Sequence, residues 1–344
     1  MVSRVWLSLI AVFSLAVSCM SGVPARAITI DMVTVGDPGN TADTTGAPNP
    51  AGAVADSFQI MKYEWTNSQY IDFLNAVDAS GTNPNSVYNT SMGSSARGGI
   101  SFTSGAAFGS KYAARSDMGD KPVSFVSWFD AARVSNWLMN GGTTSSSTET
   151  GAYTLNGGTS GNAPAVNLGA AFSIPTEDQW YKAAYYKGGS TNAGYWDYAT
   201  QSDTAPTAVT AGSTGIGSAG STGNFANYSS TAFWNSQNGN ATTVGTNGGA
   251  SAYAAFDMSG NLYEWNDLMG VAGSSRGQRG GNVVNNAFHL SSSSSGTNDP
   301  SFENGVIGFR LASPVAVPEP STYAMVLAGL AGGGWQVFRR RKRA

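Results

Sequence analysis

Runs of Gly, Ser, Thr and Asn cut this chain into short pieces, and no regular element can outgrow the piece that holds it. The stretches 38–55, 81–105, 141–167, 188–222 and 235–251 are polar and turn-forming, and charge and aromatic content fall in the short blocks between them. Gly reaches backbone conformations that other residues avoid, and Asn, Asp and Ser close turns through their own side chains, so such stretches end helices and strands. Long loops on a rigid frame are tolerated because the entropy of closing them rises slowly with length. The blocks must supply the frame and the stretches its insertions, which predicts an α+β fold in which loops carry much of the structure.

Three blocks carry explicit helix starts. Thr66-Asn67-Ser68-Gln69 is a capping box, followed on one helical face by Tyr70, Phe73, Leu74 and Val77. Ser127 caps a second helix with Asp130 at its third position; Ala131, Val134 or Ser135, and Leu138 face inward until Asn140-Gly141-Gly142. Thr176 and Gln179 repeat the box for a third, where Trp180, Ala183 and Ala184 form the buried stripe before Gly188-Gly189. Residues 57–63 alternate as a half-buried strand, and 172–174, 256–258, 281–284 and 307–311 read as short strands. Glu177 stabilises the first turn of its helix through the dipole, and Arg310 holds a carboxylate such as Glu264 or Asp257.

Both ends carry export signals. Arg4 precedes the apolar run 5–17, and Ala25-Arg26-Ala27 offers a small-x-small cleavage site, so 1–27 reads as a signal peptide; Ala16-Val17-Ser18-Cys19 is a competing lipobox. At the other end Val317-Pro318-Glu319-Pro320 precedes an apolar run and then Arg339, Arg340, Arg341, Lys342 and Arg343. The basic end should stay on the cytoplasmic side of a transmembrane segment at about 323–338, which is shorter than the roughly 20 apolar residues a helix needs to cross. The tail resembles the PEP-CTERM sorting signal. That resemblance implies cleavage by an exosortase near the motif, after export across the inner membrane of a Gram-negative bacterium, and a place in the envelope, on the surface or outside the cell. A plain C-terminal anchor is the other reading of the same order.

Charge and cysteine usage exclude further classes. The only cysteine, Cys19, lies inside the export signal, so the processed chain has no disulfide, thiolate metal site or cysteine nucleophile. Setting aside Arg4, Arg26 and the five C-terminal bases leaves 11 of 18 Lys and Arg against 20 of 21 Asp and Glu without Glu319, a net charge of about −9. That balance argues against nucleic acid and anionic surfaces as partners.

The blocks, taken together, resemble the formylglycine-generating enzyme family, also called the sulfatase-modifying factor domain. The matching pieces are 58–73 with Tyr63-Glu64-Trp65-Thr66-Asn67, 121–131, 172–180, Asp257-Met258-Ser259-Gly260-Asn261-Leu262-Tyr263-Glu264-Trp265, Arg279-Gly280-Gly281 and Gly308-Phe309-Arg310, in family order. The resemblance implies the family's loop-rich fold, related to the C-type lectin fold, over 51–313, with 28–50 as an N-terminal lead-in and 314–344 as the sorting signal. Active members bind copper with two cysteines shortly after the Arg-Gly-Gly block and oxidise a substrate cysteine with oxygen. Asn285 and Leu290 stand at those positions here, and neither offers a soft thiolate or a redox couple, so no copper is expected. Histidine-iron relatives need several imidazoles, and this chain has one, His289, flanked by Phe288 and Leu290.

Structural calcium is a further implication of the resemblance. The Gly-Asn-x-x-Glu segment carries it onto Asn261, the Leu262 carbonyl and Glu264, and a second site onto Asn227 and the Tyr228 carbonyl. Oxygen donors of this kind suit calcium, although Asn261 and Glu264 can equally hold a tight turn by hydrogen bonds. Two functions remain open. One is a non-catalytic surface or matrix protein that binds exopolysaccharide or an envelope protein through displayed loops, with Trp128, Trp196, Tyr198, Phe233 and Trp234 as aromatic candidates. The other is an enzyme, either a formylglycine-generating oxidoreductase or one of unknown chemistry, although no nucleophile and base are singled out by spacing.

Overall fold

The computed structural model describes residues 28–314. All three expected caps form, and each closes as a box. Helix α1 spans Asn67–Val77 behind Thr66, a single turn α2 spans Ser91–Ser94, α3 spans Trp128–Met139 behind Ser127, and α4 spans Glu177–Tyr185 behind Thr176. In each box the cap oxygen accepts from the third amide while the third side chain accepts from the cap amide, as in Ser127 N to Asp130 Oδ2 at 2.8 Å. Tyr70, Phe73 and Leu74 are buried as their spacing required, and Val77 is half-buried. Helix α3 departs from a one-sided pattern, since every residue from Trp128 to Trp137 is buried. The polar stretch after it is the reason: Asn136 Nδ2 donates to the carbonyls of Thr148 and Tyr153, and Arg133 pairs with Glu149, so loops cover the outer face.

Sheets are small and open. Met32–Val35, Phe58–Met61 and Ala312–Ser313 form an antiparallel sheet with Phe58–Met61 in the centre, which joins the two ends of the described chain. The stretch read as a lead-in thus contributes an edge strand. A four-stranded sheet runs Gly296–Asn298, Arg276–Arg279, Tyr263–Asn266, Ile307–Gly308, the last pair parallel. Because side chains alternate along a strand, Phe58 and Ile60 enter a cluster with Trp180, Tyr181 and Tyr185, whereas Met61 enters a larger one with Trp65, Trp128, Trp137 and Trp265.

Several expected strands do not form. Residues 172–174 contribute a single bridge, Ser173 to Ala312. At 256–258 the left-handed backbone of Asp257, with φ of 57°, breaks an extended run. At 281–284 the chain turns, with Gly281 at φ of 71°, and the strand lies upstream at Arg276–Arg279. The transmembrane expectation is also corrected. Among the described residues no helix is long and apolar enough to cross a membrane; α3 has 12 residues where a span needs roughly 20. The segment 323–338, like the signal peptide 1–27, lies outside the described residues.

The cap of α3 binds a second acid. Asp130 is hydrogen-bonded to Glu303, which also accepts from Asn89 Nδ2. Burial, and then the charge of Asp130, push Glu303 up to about 7, so the pair holds a proton near neutrality. A carboxyl whose folded pKa is raised binds its proton more tightly when folded. Its stabilisation is complete at low pH and fades as pH rises from 4.5 towards about 7. Stability measured by urea denaturation should therefore fall more steeply over that window in the wild type than in Glu303→Gln. The expected difference is about 1–2 kcal/mol, after discounting the exposed part of Glu303 for screening; parallel pH profiles would refute the shared proton.

Candidate functional site

The centre of the fold is an ion pair. Gly308 lies opposite Glu264 in the parallel pair, and a Cβ there would stand 2.7 Å from the Val123 carbonyl, so only glycine lets that strand sit so deep. Two residues on, Arg310 grips Glu264 with both arms of its fork, Nε to Oε2 and Nη2 to Oε1, each at 2.6 Å. Its remaining donors reach the Met61 carbonyl at 3.1 Å and the Phe256 carbonyl at 2.8 Å. Trp180 Nε1 of α4 also donates to Glu264, at 2.8 Å. Arg310 and Glu264 are fully buried, as the sequence suggested for a scaffold arginine, and the pair ties together both main sheets, α4 and the loop before Asp257.

Glu64 is the acid that sequence reasoning passed over. It is fully buried and accepts from Asn261 Nδ2 at 2.7 Å and from the Leu262 amide at 3.1 Å. Burial, reinforced by Asp257 and Glu264 and opposed by Arg310, raises its pKa well above the ordinary carboxylate value. Asp257, bound by the Gly245 amide at 2.5 Å and Asn247 Nδ2 at 2.8 Å, is likewise raised by burial. The only sequence signal was position: Glu64 sits between Tyr63 and Trp65, just past a strand that is buried on both sides.

The implied calcium ligands divide. Asn261 Oδ1 accepts from the Thr242 amide at 3.0 Å and from Asn227 Nδ2 at 3.2 Å, while both oxygens of Glu264 face Arg310. The side-chain oxygens of Asn261 and Glu264 are thus already engaged in hydrogen bonds, and the Leu262 amide is held by Glu64. Asn227 differs. Its amide group donates to the Asn240 carbonyl at 3.0 Å and Thr242 Oγ1 at 2.9 Å, but its Oδ1 is buried without a hydrogen-bond partner. The neighbouring Tyr228 carbonyl accepts from Thr231 Oγ1 at 3.0 Å. Among the described residues no group of three or more His, Cys, Asp or Glu is arranged to hold a metal.

At the cysteine-aligned positions the chain has built a closed turn. Asn285 Oδ1 accepts from the Asn282 amide and Asn282 Oδ1 from the Val284 amide, each at 3.0 Å. Asn286 caps the short 3-10 helix Ala287–Leu290. Leu290 is fully buried and fills the space beside Gly281, where a Cβ would meet its Cδ1 at 2.6 Å. His289, half-buried, has Nδ1 at 3.2 Å from the Tyr263 hydroxyl.

The aromatic candidates also part company. Trp128 is fully buried, edge-on to Tyr153 with the Arg276 guanidinium 4.6 Å from its ring, and so belongs to the core. Trp234 is buried with Nε1 on the Ala241 carbonyl. Trp196 is half-buried beneath the Lys187 ammonium at 4.1 Å, and Tyr198 is half-buried. Phe233 stands 58% exposed, and the turn at the cysteine-aligned positions adds Val284 at 45% and Phe288 at 59%. Sequence reasoning missed the last two, although apolar residues alternating with turn-closing asparagines were the available sign. It also missed the buried pairs Arg276 to Asp267, at 2.7 Å, and Arg279 to Glu177.

Comparison with known proteins agrees with this architecture. The family profile of the sulfatase-modifying factor enzyme 1-like domain matches residues 25–315, and that of the PEP-CTERM protein-sorting motif matches residues 316–342. No curated protein matches. Among solved structures, CarF aligns over 83% of this chain and 99% of its own at 22% identity with a TM-score of 0.50, a likeness of fold alone. Treponema denticola variable protein 1 aligns over 83% and 95% at 19% identity with a TM-score of 0.45. PvdO from Pseudomonas aeruginosa aligns over 83% and 92% at 17% identity with a TM-score of 0.41.

Removing one partner of the central pair strands the other in the core. Arg310→Met should lower stability by about 3–5 kcal/mol, whereas Arg310→Met combined with Glu264→Gln should recover part of that loss. Urea denaturation of the two single variants and the double variant measures the coupling, and strictly additive losses would show that the pair does not act as a unit.

Proposed function

This chain belongs to the sulfatase-modifying factor enzyme 1-like family, carries a PEP-CTERM sorting motif and has one cysteine where the family's oxidases need a pair; from that premise we propose that it is an exported, non-catalytic scaffold that binds a glycan or an envelope protein. The turn at Asn285 and Leu290 is the observation that carries this reading. A thiolate pair can pass electrons and hold a soft metal. A side-chain amide that accepts from the Asn282 backbone and a leucine wedged against Gly281 can do neither. Loops that no longer surround a reaction centre remain held on a rigid frame, as suits a binding surface. Processing by an exosortase follows from the sorting motif. Export across a Gram-negative inner membrane, and any relation to the C-type lectin fold, belong to the same proposal through family resemblance.

Oxygen uptake distinguishes the scaffold from an oxidase. Purified protein supplied with copper and a cysteine-bearing sulfatase peptide should consume no oxygen above the peptide-free control. Peptide-dependent turnover, with formylglycine detected by mass, would overturn the non-catalytic reading.

The proposal includes a structural calcium ion at Asn227, where Oδ1 and the Tyr228 carbonyl would contribute hard oxygen donors. The set of Asn261, Leu262 and Glu264 has less support, because its side-chain oxygens are already engaged. Calcium added to metal-stripped protein should raise the thermal midpoint, by preferential binding to the folded state, and Asn227→Ala should abolish that increment. A midpoint that calcium leaves unchanged would remove the ion from the account.

A further inference from the structure

We propose that the ligand of this scaffold is an uncharged polysaccharide, held on the face built by loops 228–240 and 282–290; this deepens the glycan reading above and rests on it. The first observation concerns where the charges point. Every Lys and Arg among the described residues is buried or half-buried, and the exposed charged side chains are all aspartates, such as Asp56, Asp117, Asp203 and Asp299. The half-buried bases are engaged as well: Lys111 donates to the Ser104 and Ala106 carbonyls, both at 2.6 Å, and Lys187 lies over Trp196 and 4.0 Å from Asp203. Among the described residues a uronate, sulfate or phosphate group would meet no exposed cation, only partly buried ones, and would be repelled by the exposed aspartates.

The second observation concerns the face itself. From 204 to 256 the chain has no charged residue, and from 280 to 298 its only titratable side chain is His289. These two neutral segments join directly: the Ser229 amide donates to the Asn285 carbonyl at 2.8 Å and the Ser230 amide to the Val283 carbonyl at 2.7 Å. They carry the exposed rings of Phe233 and Phe288 and the exposed side chain of Val284. Between these stand exposed hydroxyls and amides, including Ser229, Ser230, Thr231, Asn235 and Ser236.

That mixture matches the chemistry of a neutral sugar. The axial C–H faces of a pyranose stack on an aromatic ring, and its hydroxyls exchange hydrogen bonds with neutral hydroxyl and amide groups. A protein partner would be favoured by a continuous apolar patch, whereas here single apolar side chains alternate with polar ones. Arg97, the nearest base to the hairpin Phe233–Trp234 and Gln237–Asn238, spends its donors on the carbonyls of Gly239, at 2.9 Å, and Asn238, at 3.0 Å.

Affinity electrophoresis of the purified native protein tests the proposal, with gels containing dextran or mannan as neutral polymers and alginate or polygalacturonate as acidic ones. Retardation by a neutral polymer, none by an acidic one and indifference to added salt are expected. Phe233→Ala and Phe288→Ala, at exposed positions, should each weaken retention about tenfold while leaving the thermal midpoint in place. Retardation by the acidic polymers alone would overturn the neutral ligand and leave the glycan reading standing. Retardation by none would overturn the glycan reading itself. Retention on a neutral polymer that survives both substitutions would overturn this face as the binding site.

Discussion

The rest of this structure depends on how buried backbone carbonyls are satisfied in a chain with little helix and little sheet. A carbonyl taken out of water without a donor costs about 1–3 kcal/mol, and helices and ladders supply donors only along their own length. Here side chains take over. Arg276 reaches the carbonyls of Ser275, Ala163 and Pro164, at 2.9, 3.2 and 2.9 Å. Arg279 reaches Ser292 and Ser294, at 3.2 and 2.7 Å, and Arg310 reaches Met61 and Phe256, at 3.1 and 2.8 Å. Each arginine also has a carboxylate partner, Asp267, Glu177 and Glu264 respectively, so its own charge is not stranded. Asparagines do the same without charge, as Asn67 does for the Met118 and Lys121 carbonyls. The polar composition that looked like a shortage of core is what makes buried loops affordable.

What was legible beforehand follows from the range of each interaction. A capping box joins residues three apart, so Thr66, Ser127 and Thr176 announced their helices without any knowledge of the fold. Glu177 was read as a first-turn acid, and it is one, but its partner Arg279 lies 102 positions away, and local spacing carries no trace of such a pair. Arg310 and Glu264 became readable because both fall in family-like blocks. The short strands failed for a related reason. Short alternations such as Phe172-Ser173-Ile174 and Phe256-Asp257-Met258 satisfy a strand pattern, yet the turns at Asp257 and Gly281 are accompanied by contacts outside the strand window, the Gly245 amide on Asp257 and Leu290 beside Gly281. At the candidate site, the alignment of Asn285 and Leu290 with absent cysteines was visible, but not that one would close a turn and the other fill the core.

The inward turn of the cations links fold to function. Because Arg133, Arg276, Arg279, Arg310, Lys121 and Lys182 are buried in carbonyl and carboxylate networks, the surface keeps the acidic remainder. No separate selection for an anionic exterior is needed: a loop-rich interior draws basic donors inward and leaves surplus aspartates in water. An exterior of this charge repels anionic polymers.

The charge-free segment 204–256 takes this furthest, since it contains no Lys or Arg of its own to tie its turns down. It borrows them. Lys121 Nζ donates to the Thr214 carbonyl and Thr243 Oγ1, both at 2.8 Å, and lies 5.0 Å from the Trp234 ring centre, while Arg97 holds the carbonyls of Asn238 and Gly239 where the second strand of the hairpin ends. Its Asn227 completes the closure by donating to Asn261, which in turn donates to the buried Glu64. The segment is thus held from both sides, by donors of the frame and by its own buried Asn227 and Asn247. That arrangement leaves the exposed rings and hydroxyls of this region outside the packed core.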